Sequence, residues 1–243
     1  MLINVTVPVY NTKREWLLEA VASVMYQTEK NWKLILCDDG STNPETIDLL
    51  RGLEVIPNIH VIRNGVNRGI AHTRNNCLDA LDEDCEYVAI FDHDDIMMKN
   101  RLEKQLKYMQ SHDVDFLGAQ LAALDCVNVD KPNVYNNTKH PSIITKEIVC
   151  KSNWFVNNPT LMIRRSVYDR VGKYSTEKHI VDNGIEDYEF ITRAFVSGCK
   201  IHNLEEALIK YRLHTGQASR RDGATALKYV NEIFERTKAL LES

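Results

Sequence analysis

Strands and helices alternate through the first 95 residues, the strands end in polar or acidic residues, and the apolar content suits a globular protein. Together these observations predict an α/β fold in one domain, a mostly parallel sheet flanked by helices on both faces. At 243 residues, 44% hydrophobic and 26% charged, the chain can bury a substantial core of ordinary composition.

Ile3, Val5, Val7 and Val9 alternate with Asn4 and Thr6, and Pro8 and Asn11 close this first strand. Thr12-Lys13-Arg14-Glu15 has the spacing of a capping box, and Leu17, Val21, Val24 and Met25 stripe the helix it opens. Residues 32–37 form a second strand running into Asp38-Asp39-Gly40-Ser41-Thr42. A helix follows, and residues 59–62 form a third strand. Residues 70–81 are helical, and the apolar run 86–91 is a fourth, buried strand. Beyond Asp95 the rhythm changes: a helix over 101–110, a strand over 114–121, and an Asn-rich surface loop over 125–145 with Pro132 and Pro141. A strand at 160–163 and a helix at 187–197 follow. Leu227, Val230, Ile233, Phe234, Leu240 and Leu241 mark a C-terminal amphipathic helix within 222–243, packed on the core.

Acid and base are interspersed, 34 against 30 with a formal charge of −4, and there is no long basic run. That balance argues against a nucleic-acid partner held by its phosphates. The six cysteines (Cys37, Cys77, Cys85, Cys126, Cys150 and Cys199) contain no CxxC pair and read as free, buried thiols rather than zinc ligands. The chain opens on a strand with no basic n-region, and no apolar run reaches membrane-spanning length. The expectation is a reducing, cytoplasmic setting, with monomer and homodimer both open.

The most informative stretch is Asp92-His93-Asp94-Asp95, at the end of the buried fourth strand. Three carboxylates released together repel one another, so they either take up protons or recruit a cation. Their hard oxygens suit Mg²⁺ or Mn²⁺. An acidic tetrad can equally be a solvated turn. In an open sheet, ligands bind beyond the carboxyl ends of the strands. Here three such ends are polar: Pro8-Val9-Tyr10-Asn11, Asp38-Asp39-Gly40-Ser41 and the tetrad. No GxGxxG follows the first strand, which discounts a dinucleotide site.

The ordered set of motifs resembles glycosyltransferase family 2, the inverting GT-A (Rossmann-like) enzymes that use nucleotide-sugars. The resemblance runs from Val7-Pro8-Val9-Tyr10-Asn11 through Asp38-Asp39-Gly40-Ser41-Thr42, Asn67-Arg68-Gly69-Ile70-Ala71-His72-Thr73-Arg74-Asn75 and the tetrad to Gly184-Ile185-Glu186-Asp187 and Tyr211-Arg212-Leu213-His214. It implies that Pro8, Tyr10 and Asn11 lie beside the base, that Asp39 accepts a hydrogen bond from it, and that Asn67 and Arg74 flank the nucleotide. Asp92 would sit nearest the ribose, with Asp94 and Asp95 towards a divalent cation, Mn²⁺ or Mg²⁺. Asp187, beside Glu186, would be the general base on an acceptor hydroxyl. His214 would ligate the cation or touch the diphosphate, and Arg212 would offset phosphate charge.

By this resemblance residues 1–95 bind the nucleotide-sugar, UDP-linked by preference, and residues 96–215 shape the acceptor site and catalysis. The acceptor would be a glycan or a lipid-linked saccharide. Asn157-Asn158-Pro159-Thr160 and Trp154 fall where relatives build the acceptor pocket; Trp154 could stack on a sugar or lie in the core. Two departures stand out. His93 fills the variable position of the DxD motif, and Gln217-Ala218-Ser219-Arg220-Arg221 carries Arg221 where processive synthases have tryptophan. Single transfers are therefore expected. A non-catalytic nucleotide- or carbohydrate-binding module and a nucleotidyltransferase are the competing readings.

Overall fold

The computed structural model describes residues 2–125, 139–217 and 223–243. The first half follows the alternation of its sequence: β1 (Leu2–Val9), α1 (Arg14–Met25), β2 (Trp32–Asp38), α2 (Pro44–Leu53), β3 (Ile59–Arg63), α3 (Ile70–Asp79) and β4 (Cys85–Ile90). Next come the two-residue β5 (Ile96–Met97), α4 (Arg101–Ser111), β6 (Phe116–Asp125) and the short α5 (Lys146–Val149). A 3-10 turn (Asn158–Thr160) leads into β7 (Met162–Arg164), α6 (Ser166–Val171), α7 (Lys178–Asn183) and α8 (Glu186–Val196). The thirteen-residue β8 (Ile201–Leu213) and α9 (Gly223–Glu242) finish the chain.

One eight-stranded sheet orders these strands β3-β2-β1-β4-β7-β6-β8-β5. The first four pair in parallel, as expected. β7 is antiparallel to both β4 and β6, and β5 is antiparallel to β8, so the sheet is mixed. The chain steps outward from β1 to β2 and β3 and then returns to β4 on the other side of β1. That reversal opens a crevice at the carboxyl ends of β1 and β4, where α/β folds place their ligands.

Both faces of the sheet are covered. Along β4, Tyr87 and Ala89 point into one apolar cluster with α1, α2 and α4, through Leu17, Leu50 and Leu102. Val88 and Ile90 point into the other, with Ala71, Val167, Phe190 and Ile191 of α3, α6 and α8. A strand buried on both sides must read as an unbroken apolar run, which is why this one was legible.

Several expectations are corrected. The capping box at Thr12 does not form: Lys13 occupies the N-cap of α1 with no side-chain cap. Thr12 is drawn elsewhere, its hydroxyl to His93 and its carbonyl to the Thr46 hydroxyl. Met25 leaves the stripe and is 41% exposed. In α9, Leu227 and Leu240 face outward, whereas Ile233 packs on Ile180 and Ile185. β5, β8, α5, α6 and α7 were not anticipated. The strand expected over 114–121 begins two residues later and reaches Asp125, which shortens the expected loop. Residues 126–138 of the expected loop, Cys126 among them, and residues 218–222 lie outside the described residues. The other five cysteines are free thiols, Cys150 half-buried and the rest buried. Among the described residues no helix is long and apolar enough to cross a membrane.

Candidate active site

The crevice floor is built from two loops that lock together. After β1, Asn11 takes a left-handed φ of 46° and its side-chain oxygen accepts from the Thr42 and Asn43 amides. Its own amide donates to the Ser41 hydroxyl. After β2, Gly40 has φ of 72°, and a Cβ there would lie 2.6 Å from the Val66 carbonyl carbon. Only glycine permits that approach. Asp39 is buried, and its carboxylate accepts from Asn64 Nδ2 and the Arg68 amide on Oδ1, and from the Gly69 amide on Oδ2. It thus fixes the loop that opens α3, and a hydrogen bond from a base would share oxygens already engaged. Pro8 pairs with Cys37 inside the sheet. Tyr10 is 40% exposed above it. Asn67 is exposed, its backbone against Gly40.

The acidic turn after β4 is tied at every residue. His93 Nδ1 meets the Thr12 hydroxyl at 2.9 Å, a role the sequence did not suggest. Asp94 Oδ2 lies 2.8 Å from His214 Nε2. Asp95 is fully buried, and its Oδ1 accepts from the Arg212 amide at the end of β8. Asp95 Oδ2 has no hydrogen-bond partner among the described residues. Burial, then Asp92 and Asp94, raise the Asp95 carboxyl well above its usual range. Asp92 is also raised, by burial first, with Arg74 opposing.

Arg212 is buried at the end of β8. Its Nε donates to the Asp94 carbonyl at 2.6 Å, Nη2 pairs with Glu19 of α1, and the guanidinium lies 5.3 Å from the Trp16 ring centre. The Trp16 ring also lies 4.5 Å from that of His214. β8 and α1 therefore clamp the turn from outside; Glu19 and Trp16 carried no motif to reveal them.

Beneath the turn lies another residue the sequence concealed. Arg101 is fully buried, donating to the carbonyls of Ile90 and Leu161 and to Gln105 Oε1. Burial pushes its pKa down to about 9, with Asp92 and Asp95 opposing.

On the other wall, Glu186 and Asp187 open α8. Asp187 is half-buried, and its Oδ1 accepts from the Tyr188 amide at 2.7 Å. Glu186 is 2% exposed and accepts from Arg74 Nε at 3.2 Å, leaving Oε2 without a partner among the described residues. Burial, then the neighbouring Asp187 charge, push the Glu186 carboxyl up to about 7 against the pull of Arg74. Arg74 Nη2 also lies 3.7 Å from Asp92 Oδ1. One guanidinium therefore spans the acidic turn and the acid pair.

Trp154 is 56% exposed, edge-on to His140 at 5.2 Å, and so is not a core residue. Asn157 is buried, bonded to His140 Nε2 and the Ala119 carbonyl. Among the described residues no three His, Cys, Asp or Glu side chains converge to cage a metal ion. Asp94 and His214 do present a carboxylate and an imidazole side by side. That pair fits a cation that completes its shell with phosphate oxygens and water.

The family model for Glycosyl transferase family 2 matches residues 4–172. EpsE of Bacillus subtilis (strain 168), provisionally named a glycosyltransferase, is 31% identical over 241 residues, covering 98% of this chain and 82% of that protein. The uncharacterised glycosyltransferase MJ1057 of Methanocaldococcus jannaschii is 29% identical over 218 residues, 87% of this chain and 71% of its own. The fold is similar to that of S. aureus TarS 1-349 in complex with UDP-GlcNAc, with a TM-score of 0.76 at 19% identity over 99% of this chain and 70% of that one.

Proposed function

The chain belongs to glycosyl transferase family 2 and is a glycosyltransferase, and from that premise we propose that it moves one sugar from a UDP-sugar to a hydroxyl of a glycan or lipid-linked saccharide, with inversion. The solved complex of the similar TarS fold with UDP-GlcNAc supports the donor class. The observation that carries the reading is the meeting of the acidic turn and the α8 acid pair on Arg74.

In this reading the loops around Asn11, Asp39 and Asn67 seat the base, with Pro8 and Tyr10 beside it. Asp92 faces the ribose. Asp94 and His214 would hold a divalent cation, Mn²⁺ or Mg²⁺, with the buried Asp95 next to them in the same turn. Bound there, a cation neutralises charge on the leaving diphosphate. Asp187 takes the acceptor proton as the acceptor oxygen forms its bond to the anomeric carbon and the bond to UDP breaks.

Asp187→Asn is the test. Transfer, read as UDP release and glycosylated product, is expected to fall by about 10²- to 10⁴-fold, the contribution of a positioned base. UDP affinity, read by calorimetry, is expected to stay within about twofold, since a transition-state contact alone is removed. Loss of UDP binding together with transfer would make Asp187 structural. Pyrophosphate as the wild-type product would replace glycosyl with nucleotidyl transfer.

A further inference from the structure

Arg74 sits where four segments of the chain converge. It projects from α3 and is 6% exposed. Its Nη2 is 3.7 Å from Asp92 on the acidic turn and its Nε is 3.2 Å from Glu186 on α8. Asn158 of the 3-10 turn supplies a further acceptor. With its amide oxygen turned to the guanidinium, it accepts from Nη2 at 3.1 Å and from Nη1 at 3.3 Å. The Tyr174 ring closes one side at 5.7 Å.

A residue meant to grip a phosphate keeps donors facing the crevice. Here Nε is taken by Glu186, Nη1 and Nη2 reach Asn158 once its amide is turned, and Nη2 faces Asp92 at ion-pair distance. We infer that Arg74 is a positioning residue, a buried cationic strut that transmits the placement of the nucleotide-facing Asp92 to the general base through Glu186 and Asn158. Glu186 is then the far anchor of the strut rather than a second base. This rests on the glycosyltransferase reading of Asp92 and Asp187.

The physical basis is the planar fork. A guanidinium holds several acceptors at fixed angles, which an ammonium on a flexible stem does not. A displacement of the acidic turn would therefore be passed to Glu186, and the neighbouring Asp187 shares the first turn of α8. Misplacing a reacting group by about 1 Å costs on the order of 100-fold in rate. The electrostatics agree with the geometry. Burial works against the Arg74 charge, yet Glu186 and Asp92 more than offset it and keep the guanidinium protonated.

The test uses the full chain with Arg74→Lys, Arg74→Met and Glu186→Gln, each normalised to its folded fraction. A strut predicts that kcat falls on the order of 100-fold in Arg74→Met while the UDP Kd stays within about threefold. Arg74→Lys should recover only part of the rate, because charge returns without the fork. A large rise in UDP Kd with unchanged kcat would instead make Arg74 a phosphate ligand. Unchanged kcat per folded molecule would make it a purely structural arginine.

An activity-independent arm uses urea unfolding of Asp92→Asn, Glu186→Gln and the double variant, in the wild-type and Arg74→Met backgrounds. The two substitutions should be non-additive with Arg74 present and additive without it. Additivity in both backgrounds overturns the strut even if the enzyme is active. Conversely, a wild-type chain that releases no UDP from any UDP-sugar, yet shows the non-additive cycle, overturns the functional reading and leaves the strut standing.

Discussion

Glu186 is held between opposing fields. Burial and Asp187 favour its neutral form, while Arg74 favours its anion, and the result is a pKa of about 7 against a usual value of 4.5. The folded state therefore binds this proton more tightly than the unfolded chain does. The stability this contributes is complete below pH 4.5 and is lost as pH rises through about 7. Glu186→Gln removes the titration and should flatten that decline. Relative to wild type, the variant should gain stability between pH 5 and pH 8 by at most about 3 kcal/mol, the free energy of a shift of this size. Urea unfolding at the two pH values checks it, and a constant difference between the proteins would refute the assignment. Gly40 belongs to the same scale: its motif Asp38-Asp39-Gly40-Ser41-Thr42 was visible as an acidic strand end, but the backbone it packs against at Val66 is remote in sequence. Asn158 was placed near the acceptor pocket by its motif, whereas its contact with Arg74 depends on a long-range approach no local pattern encodes.

Among the elements, β2 and β4 were readable because burial on both faces keeps their apolar residues nearly consecutive. β1 was readable because Ile3, Val5, Val7 and Val9 alternate with polar residues, and β3 by a short apolar run. β8 was not. Its buried positions are irregular, Glu205 and Glu206 are exposed, and its pairing with β6 shifts register twice. A bulged strand has no steady period of two to recognise. Yet this strand delivers Arg212 and His214 to the acidic turn. α9 was recognised as amphipathic, but its inward face proved to be the one carrying Ile233, against Ile180 and Ile185 of the segment that precedes Asp187. Ile233→Ala should cost about 2–4 kcal/mol, the usual range for emptying an aliphatic core position. Its UDP affinity should match wild type, since the apolar cluster around Ile233 is built from residues of α7, α8 and α9 and the residue before α8. Denaturant unfolding and UDP calorimetry report the two quantities; weakened UDP binding would show that α9 supports the donor side.

At the scale of the whole molecule, the acidic turn ends a strand of the sheet and α8 packs on that same sheet, so ligand binding should register as global stability. For a chain of 243 residues, UDP at a hundredfold excess over its Kd should raise Tm by roughly 5–10 °C. The shift should be larger with Mn²⁺ than with chelator. Equal shifts in both would remove the cation from donor binding while leaving the UDP site intact. The parallel first half of the fold was legible from sequence; β7 was expected as a strand at 160–163 but not as an antiparallel one, and β5, with two residues, holds too little pattern. The site followed the same division. Its carboxylates were visible as motifs, whereas Arg101, Glu19 and Thr12, which hold the acidic turn from beneath and beside, are ordinary residues until the chain folds.

Arg74 and Asp92 belong to the first 95 residues, and Asn158 and Glu186 to the stretch beyond. Halves exchanged between relatives would therefore not behave as independent cassettes. A crossover near residue 95 cuts through one arginine's set of partners, so a chimaera inherits its donor preference and its catalytic geometry from different parents. Recombination would yield working hybrids chiefly where both parents present the same acceptors to that guanidinium.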